Sequence, residues 1–131
     1  MYVVIDTNVL VSGLMSPAGP PRKIIDLMLA SRVIPCYDGR MMEEYEDVLF
    51  RPRFPFSCEE VSELLDRIIM SGLRVFSMKC HVTFIDESDK PFYETALECG
   101  ALLITGNARH FPAEEWILSP AEFLQRVMED T

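Results

Sequence analysis

Short apolar runs alternate with longer stretches of helical periodicity along almost the whole chain. The runs are Tyr2–Ile5 and residues 33–37, 73–78, 101–105 and 116–118. Each is too short for a helix and apolar on both faces, which suits strands covered on both sides. Between them the apolar side chains recur at helical spacing. Ile24, Ile25, Leu27, Met28 and Leu29 mark a helix over about 22–31; Met41, Met42, Tyr45, Val48 and Leu49 mark one over about 39–50. Phe92, Ala96, Leu97 and Cys99 mark another over about 90–99. The predicted order is strand, helix, strand, helix, helix, strand, helix, strand, strand, helix. Such alternation predicts a parallel sheet between two helical layers, joined by right-handed crossovers. At 131 residues the chain fits one α/β domain over 1–131.

Capping signals sharpen these boundaries. Pro20 and Pro21 suit a first helical turn, and Asp38 is a ready N-cap. Ser57-Cys-Glu-Glu60 and Ser119-Pro-Ala-Glu122 are capping boxes. Gly72 and Gly100 mark helix ends. Residues 9–19 read as a helical turn dissolving into a loop, and 79–87 as a polar connection.

Composition excludes several classes. No apolar run approaches the roughly 20 residues that span a bilayer, and Asp6 interrupts an N-terminus without a basic leader pattern. A cytoplasmic protein is expected. Cys36, Cys58, Cys80 and Cys99 form no CxxC pair, and His81 and His110 are the only histidines. Free thiols are expected rather than a zinc centre. Most of the eight methionines fall at helix-core spacing and read as packing residues. The net charge of −9, from 21 acids against 12 bases, argues against a basic nucleic-acid-binding face. It leaves room for acids gathered around a divalent cation, or for a basic partner segment.

Asp6, followed by Thr7 and Asn8, stands at the carboxyl end of the first strand, where open α/β sheets bind ligands. Glu44 lies early in the helix after the second strand. Asp86 and Asp89 precede the helix leading to the fourth strand, which ends in Thr105-Gly106-Asn107. If the first and fourth strands are neighbours, Asp6 and Asn107 face each other and all four sites share one edge. Gathered carboxylates repel one another and suit Mg2+ or Mn2+, hard ions that take oxygen ligands. Metal-assisted phosphodiester hydrolysis follows as a chemistry. Each residue also has a structural reading: Asp6 or Thr7, Asp86 and Asp89 as caps, Glu44 as a solvated helix residue, Asn107 as a turn residue. Arg109 and the Arg51/Arg53 pair are candidate phosphate contacts, and His110 a candidate acid. Asn8 stands where a haloacid-dehalogenase-like phosphatase has a second Asp, and no glycine-rich turn follows the first strand as a dinucleotide fold requires.

Four stretches in order resemble the PIN-domain family, which includes the VapC-type toxin ribonucleases. They are Val-Ile-Asp6-Thr-Asn8-Val; Met-Met-Glu-Glu44-Tyr; Asp86-Glu-Ser-Asp89 with the helix through Ala96; and Leu-Leu-Ile-Thr105-Gly-Asn107 with His110-Phe-Pro112. Arg51-Pro-Arg-Phe54 is similar to a subgroup of short prokaryotic members. The resemblance implies a three-layer α/β/α sandwich with a five-stranded sheet of order 3-2-1-4-5. It implies an Mg2+- or Mn2+-dependent endoribonuclease in which Asp6, Glu44 and Asp89 hold the metal and act in catalysis. Asp86 is an additional metal ligand, and Thr7, Asn8, Thr105, Asn107 and Arg109 are supporting or substrate contacts. Asn107 stands where many members carry an Asp, which puts a second metal ion in question. RNA as substrate, an antitoxin partner and a homodimer are implied in the same way. The alternative is a PIN-like module that binds RNA or a protein with little or no cleavage.

Overall fold

A computed structural model describes residues 1–76, 79–80 and 82–129. The strands are β1 (Tyr2–Ile5), β2 (Ile34–Tyr37), β3 (Leu73–Arg74), β4 (Leu102–Ile104) and β5 (Ile117–Leu118). The helices are α1 (Thr7–Met15), α2 (Pro20–Leu29), α3 (Gly39–Leu49), α4 (Cys58–Ser71), α5 (Lys90–Cys99) and α6 (Pro120–Glu129). The sheet is all parallel in the order β3-β2-β1-β4-β5, the expected PIN-like α/β/α arrangement. β1 lies at its centre, and its Val3, Val4 and Ile5 are buried from both faces.

The capping chemistry acts as the sequence requires. The Asp38 carboxylate accepts from Met41 N at 2.9 Å to start α3. Ser57 Oγ accepts from Glu60 N at 3.0 Å to start α4. Ser119 and Glu122 satisfy each other's backbone donors at the start of α6. Gly100 closes α5 in the left-handed region, φ +62, where a side chain would be strained.

Three expectations are corrected. The helical turn expected within 9–19 is a full helix, α1, from Thr7 to Met15, and only residues 16–19 form the loop. Its Gly13 packs so closely on α2 that an added Cβ would fall 2.4 Å from Ile25 Cδ1. Glycine is a poor helix former, yet here it is what the close approach needs. The third strand is two residues long, and of its expected extent Ser77 and Met78 lie outside the described residues. The methionines divide: Met28, Met41 and Met42 are core, whereas Met1, Met15, Met70 and Met128 are exposed.

Candidate active site

The carboxyl edge of the sheet is where the candidate residues meet. Asp6 N donates to Ile104 O at 2.9 Å, extending the β1–β4 pairing by one residue. This sets Asp6 against Thr105, not against Asn107 as the sequence suggests. Asp6 and Thr105 are both buried. Asp6 Oδ2 accepts from Thr105 Oγ1 at 2.7 Å and from Asn8 Nδ2 at 3.3 Å. Thr105 Oγ1 in turn accepts from Asn107 N at 3.0 Å, and Asn8 Oδ1 accepts from Gly106 N at 3.1 Å. The two strand ends are thus stitched by short polar side chains, with Asp6 at the centre. The side chain of Asn107 is exposed and lines a cleft with Asn8, Ser12, Pro21 and Pro120.

Glu44 comes from α3, one and a half turns past its start. Its carboxylate accepts a short hydrogen bond from Thr7 Oγ1, which joins α3 to the first residue of α1. The next residue, Tyr45, is fully buried and donates its hydroxyl to the Ile5 carbonyl. That bond fixes the register of α3 against the end of β1, so Glu44 is held beside Asp6 by its neighbour in sequence. Asp89 ends a 3-10 turn, Glu87–Asp89, ahead of α5. Its Oδ2 is buried without a hydrogen-bond partner among the described residues. His110 Nδ1 stands 3.7 Å from it, an ion-pair distance beyond hydrogen-bond reach.

Asp86 lies on the same turn. It is exposed, and its Oδ1 accepts from Ser88 N at 2.9 Å and Ser88 Oγ at 2.8 Å. Those bonds, the backbone one first, lower its pKa. It caps the turn that presents Asp89. Arg109 is exposed in the 3-10 turn Ala108–His110 beside Asn107. Arg51 and Arg53 are engaged elsewhere: Arg51 pairs with Asp47 at 2.8 Å, and Arg53 lies over the Phe54 ring.

Asp6, Glu44 and Asp89 share one electrostatic field. Burial, opposed by the Thr105 hydrogen bond and reinforced by the charges of Asp89 and Glu44, pushes the Asp6 carboxyl from 3.8 up to about 6. Asp89 is raised by burial, then by Asp86, with His110 opposing and Glu44 adding. Among the described residues no three His, Cys, Asp or Glu side chains stand close enough together to enclose a metal ion. The donors offered are carboxylate oxygens, one of them orphaned and buried. That set fits a hard divalent ion bound by one or two carboxylates with water completing its shell, and it does not fit a zinc cage.

One buried group escaped the sequence reading. Glu94 on α5 is buried and accepts from Arg40 Nη1 at 2.8 Å and from the Cys80 backbone N–H. Arg40 also pairs with Asp38 at 2.7 Å. Every residue from Phe92 to Ala96 is buried, so α5 has no polar stripe on which periodicity would have placed Glu94.

No solved structure matches the chain significantly. An uncharacterized protein of Methanocaldococcus jannaschii, MJ1680, is 28% identical over 108 residues, which cover 80% of this chain and 70% of that protein. The profile of the PIN domain family matches residues 2–109. PIN domains are typically nucleases that act on RNA and generally use divalent metal ions. With the sheet order, the buried Asp6 and its matched residues all in place, the chain belongs to the PIN domain family.

Proposed function

We propose that the protein is a metal-dependent endoribonuclease of the VapC-like kind. Asp6, Glu44 and Asp89 hold Mg2+ or Mn2+, directly or through water, and Asp86 acts as a cap rather than a ligand. The observation that carries the reading is the convergence of these three carboxylates at one sheet edge, with Asp6 buried and pushed up to about 6. Uncompensated carboxylates of this kind are costly in the free protein. When bound, the ion supplies charge neutralisation at the phosphate and a more acidic water. Thr105 and Asn8 fix the Asp6 carboxylate, Thr7 fixes Glu44, and Asn107 and Arg109 face the substrate side. A role as the toxin of a type II toxin–antitoxin pair, acting in the cytoplasm as a homodimer, rests on likeness to VapC-type members. Among the described residues no helix is long and apolar enough to cross a membrane.

The test is cleavage of single-stranded RNA with Mg2+, with Mn2+ and with a chelator, alongside Asp6→Asn and Asp89→Asn. Metal-dependent cutting lost in both variants is expected; cutting retained in Asp6→Asn overturns the assignment. The alternative, a PIN-like module that binds RNA or a protein without cutting, is favoured by the lack of a preassembled three-ligand group among the described residues and by Asn107. No cleavage, together with no thermal stabilisation by Mn2+, selects it.

A further inference from the structure

The β3 end of the same edge carries an exposed aromatic–cation pair that the site above does not use. Phe76 is 83% exposed, a large apolar ring in water just beyond β3. The guanidinium of Arg74 lies 5.7 Å from its ring centroid. Arg74 reaches inward along the edge: its Nη2 is 3.6 Å from where a Cβ on Gly39 would sit, at the start of α3. Register fixes the distance to the acidic centre. Arg74 pairs with Tyr37. The β1–β2 register, Tyr2 with Ile34 and Val3 with Pro35, carries Tyr37 opposite Ile5, the residue before Asp6. Two strand spacings, about 10 Å, therefore separate the backbone of Arg74 from that of Ile5.

Charge along the chain points the same way. Although the protein is strongly acidic, residues 68–85 contain no Asp or Glu and carry Arg74 and Lys79. Residues 99–113, on the other flank of Asp6, are also free of acids and carry Arg109. In sequence, Arg74 and Arg109 each stand in an acid-free segment. Glu43 and Glu46 line the groove beside Arg74, but among the described residues Arg74 has no salt bridge. Their charge disfavours a purely electrostatic phosphate site, so the stacked pair is what this surface offers. An exposed ring with a cation against it is the recognition chemistry of single-stranded nucleic acid: a base stacks on the ring and the cation meets the adjoining phosphate.

We infer that Arg74 and Phe76 form a binding subsite for single-stranded nucleic acid, one base and one phosphate displaced from the acidic centre. The subsite rests on the RNA-directed reading proposed above, but its test does not require cleavage. Binding of a labelled, mixed-sequence single-stranded RNA, and of the same sequence as a duplex, is measured by fluorescence anisotropy in chelator across a salt series. The chain is used whole, as wild type, Phe76→Ala, Phe76→Trp and Arg74→Ala. Both side chains are exposed, and circular dichroism checks that each variant folds. The expected result is single-strand binding weakened about tenfold in Phe76→Ala and kept in Phe76→Trp. Arg74→Ala loses about 0.7 from the log–log salt slope. Equal binding by wild type and Phe76→Ala, a preference for the duplex, or no binding by wild type each overturns the subsite. So does sedimentation showing that Phe76→Ala dissociates a dimer while RNA affinity holds, which makes the patch a contact between copies. Wild-type cleavage with Phe76-independent binding leaves the nuclease standing and removes the subsite. Phe76-dependent binding without cleavage does the reverse.

Discussion

Replacing Asp6 by Asn is expected to stabilise the metal-free protein while removing its activity. Asp6 is 5% exposed, and its carboxyl is raised from 3.8 to about 6, first by burial and then by Asp89 and Glu44 against the Thr105 bond. A folded-state pKa above the unfolded value means that the folded protein resists losing this proton. The associated stability is fully present below about pH 4 and is lost as pH rises through about 6. Above pH 7 the ionised folded state carries a cost of about 3 kcal/mol. An Asn keeps an oxygen for Thr105 but turns its amide toward the Thr7 N–H that the carboxylate accepts, which returns about 1 kcal/mol. A net gain of about 1–2 kcal/mol remains, or roughly 4–7 °C in Tm for a domain of this size. The assay is differential scanning fluorimetry in chelator at pH 4 and at pH 7.5. The gain is expected at pH 7.5 and absent at pH 4, and Mn2+ is expected to raise the Tm of wild type alone. A variant less stable than wild type at pH 7.5 in chelator would refute the reasoning, because the carboxylate would then be a structural group.

Thr105→Val removes the hydroxyl that donates to Asp6 and accepts from Asn107 N. It should weaken Mn2+ binding about 10- to 100-fold by calorimetry, with the fold intact. Gly72→Ala places a Cβ 2.3 Å from Ile68 O and 2.6 Å from Pro35 O; with backbone on both sides, a loss of about 2–3 kcal/mol is expected in urea unfolding. Glu94→Gln breaks the charge pair with Arg40. Burial alone would raise the pKa of Glu94, but Arg40 and the Cys80 N–H outweigh it and lower it. Its contribution is therefore present above the unfolded value of 4.5 and lost as pH falls below that. The variant should be less stable by about 2 kcal/mol at pH 7, the scale of a charge-assisted hydrogen bond, and match wild type near pH 3.

The sheet order was not legible from periodicity, which gives strands and helices but no neighbours; it came with the family resemblance and is borne out by the pairing. Local chemistry was legible wherever one residue decides it: Asp38, Ser57 and Ser119 each cap the helix they precede. The errors share a cause, since tertiary contact overrode local preference. Gly13 lies inside a helix because α2 packs against it, and Thr105 rather than Asn107 meets Asp6 because the β1–β4 register places it there. Neither fact has a local signature. Nor does the sequence tell that the Ser88 donors fall to Asp86, which caps the turn, while Asp89 Oδ2 is left without a hydrogen-bond partner among the described residues.

Two sets of carboxylates lie at this one edge, the buried pair Asp38 and Glu94 and the buried Asp6 with the half-buried Glu44 and Asp89, and the difference between them is the strongest physical argument for the proposed cation. Asp38 and Glu94 are as buried as Asp6, yet both are neutralised by Arg40, at 2.7 and 2.8 Å, and by backbone donors. That is how a folded chain treats acids kept for structure. Asp6, Glu44 and Asp89 are surrounded by uncharged donors, Thr7, Asn8 and Thr105; among the described residues only His110 approaches with a titratable nitrogen. Arg40 pairs with both members of one set, whereas the side-chain donors to Asp6 and Glu44 are uncharged hydroxyls and an amide. Hydroxyls and amides orient carboxylates without cancelling their charge, so Asp6 stays raised and the acidic field stays intact. A chain selected for stability alone would set a Lys or Arg against Asp6. On the proposed reading the countercharge comes from solution, which is what a site that gathers a divalent ion and a phosphate requires.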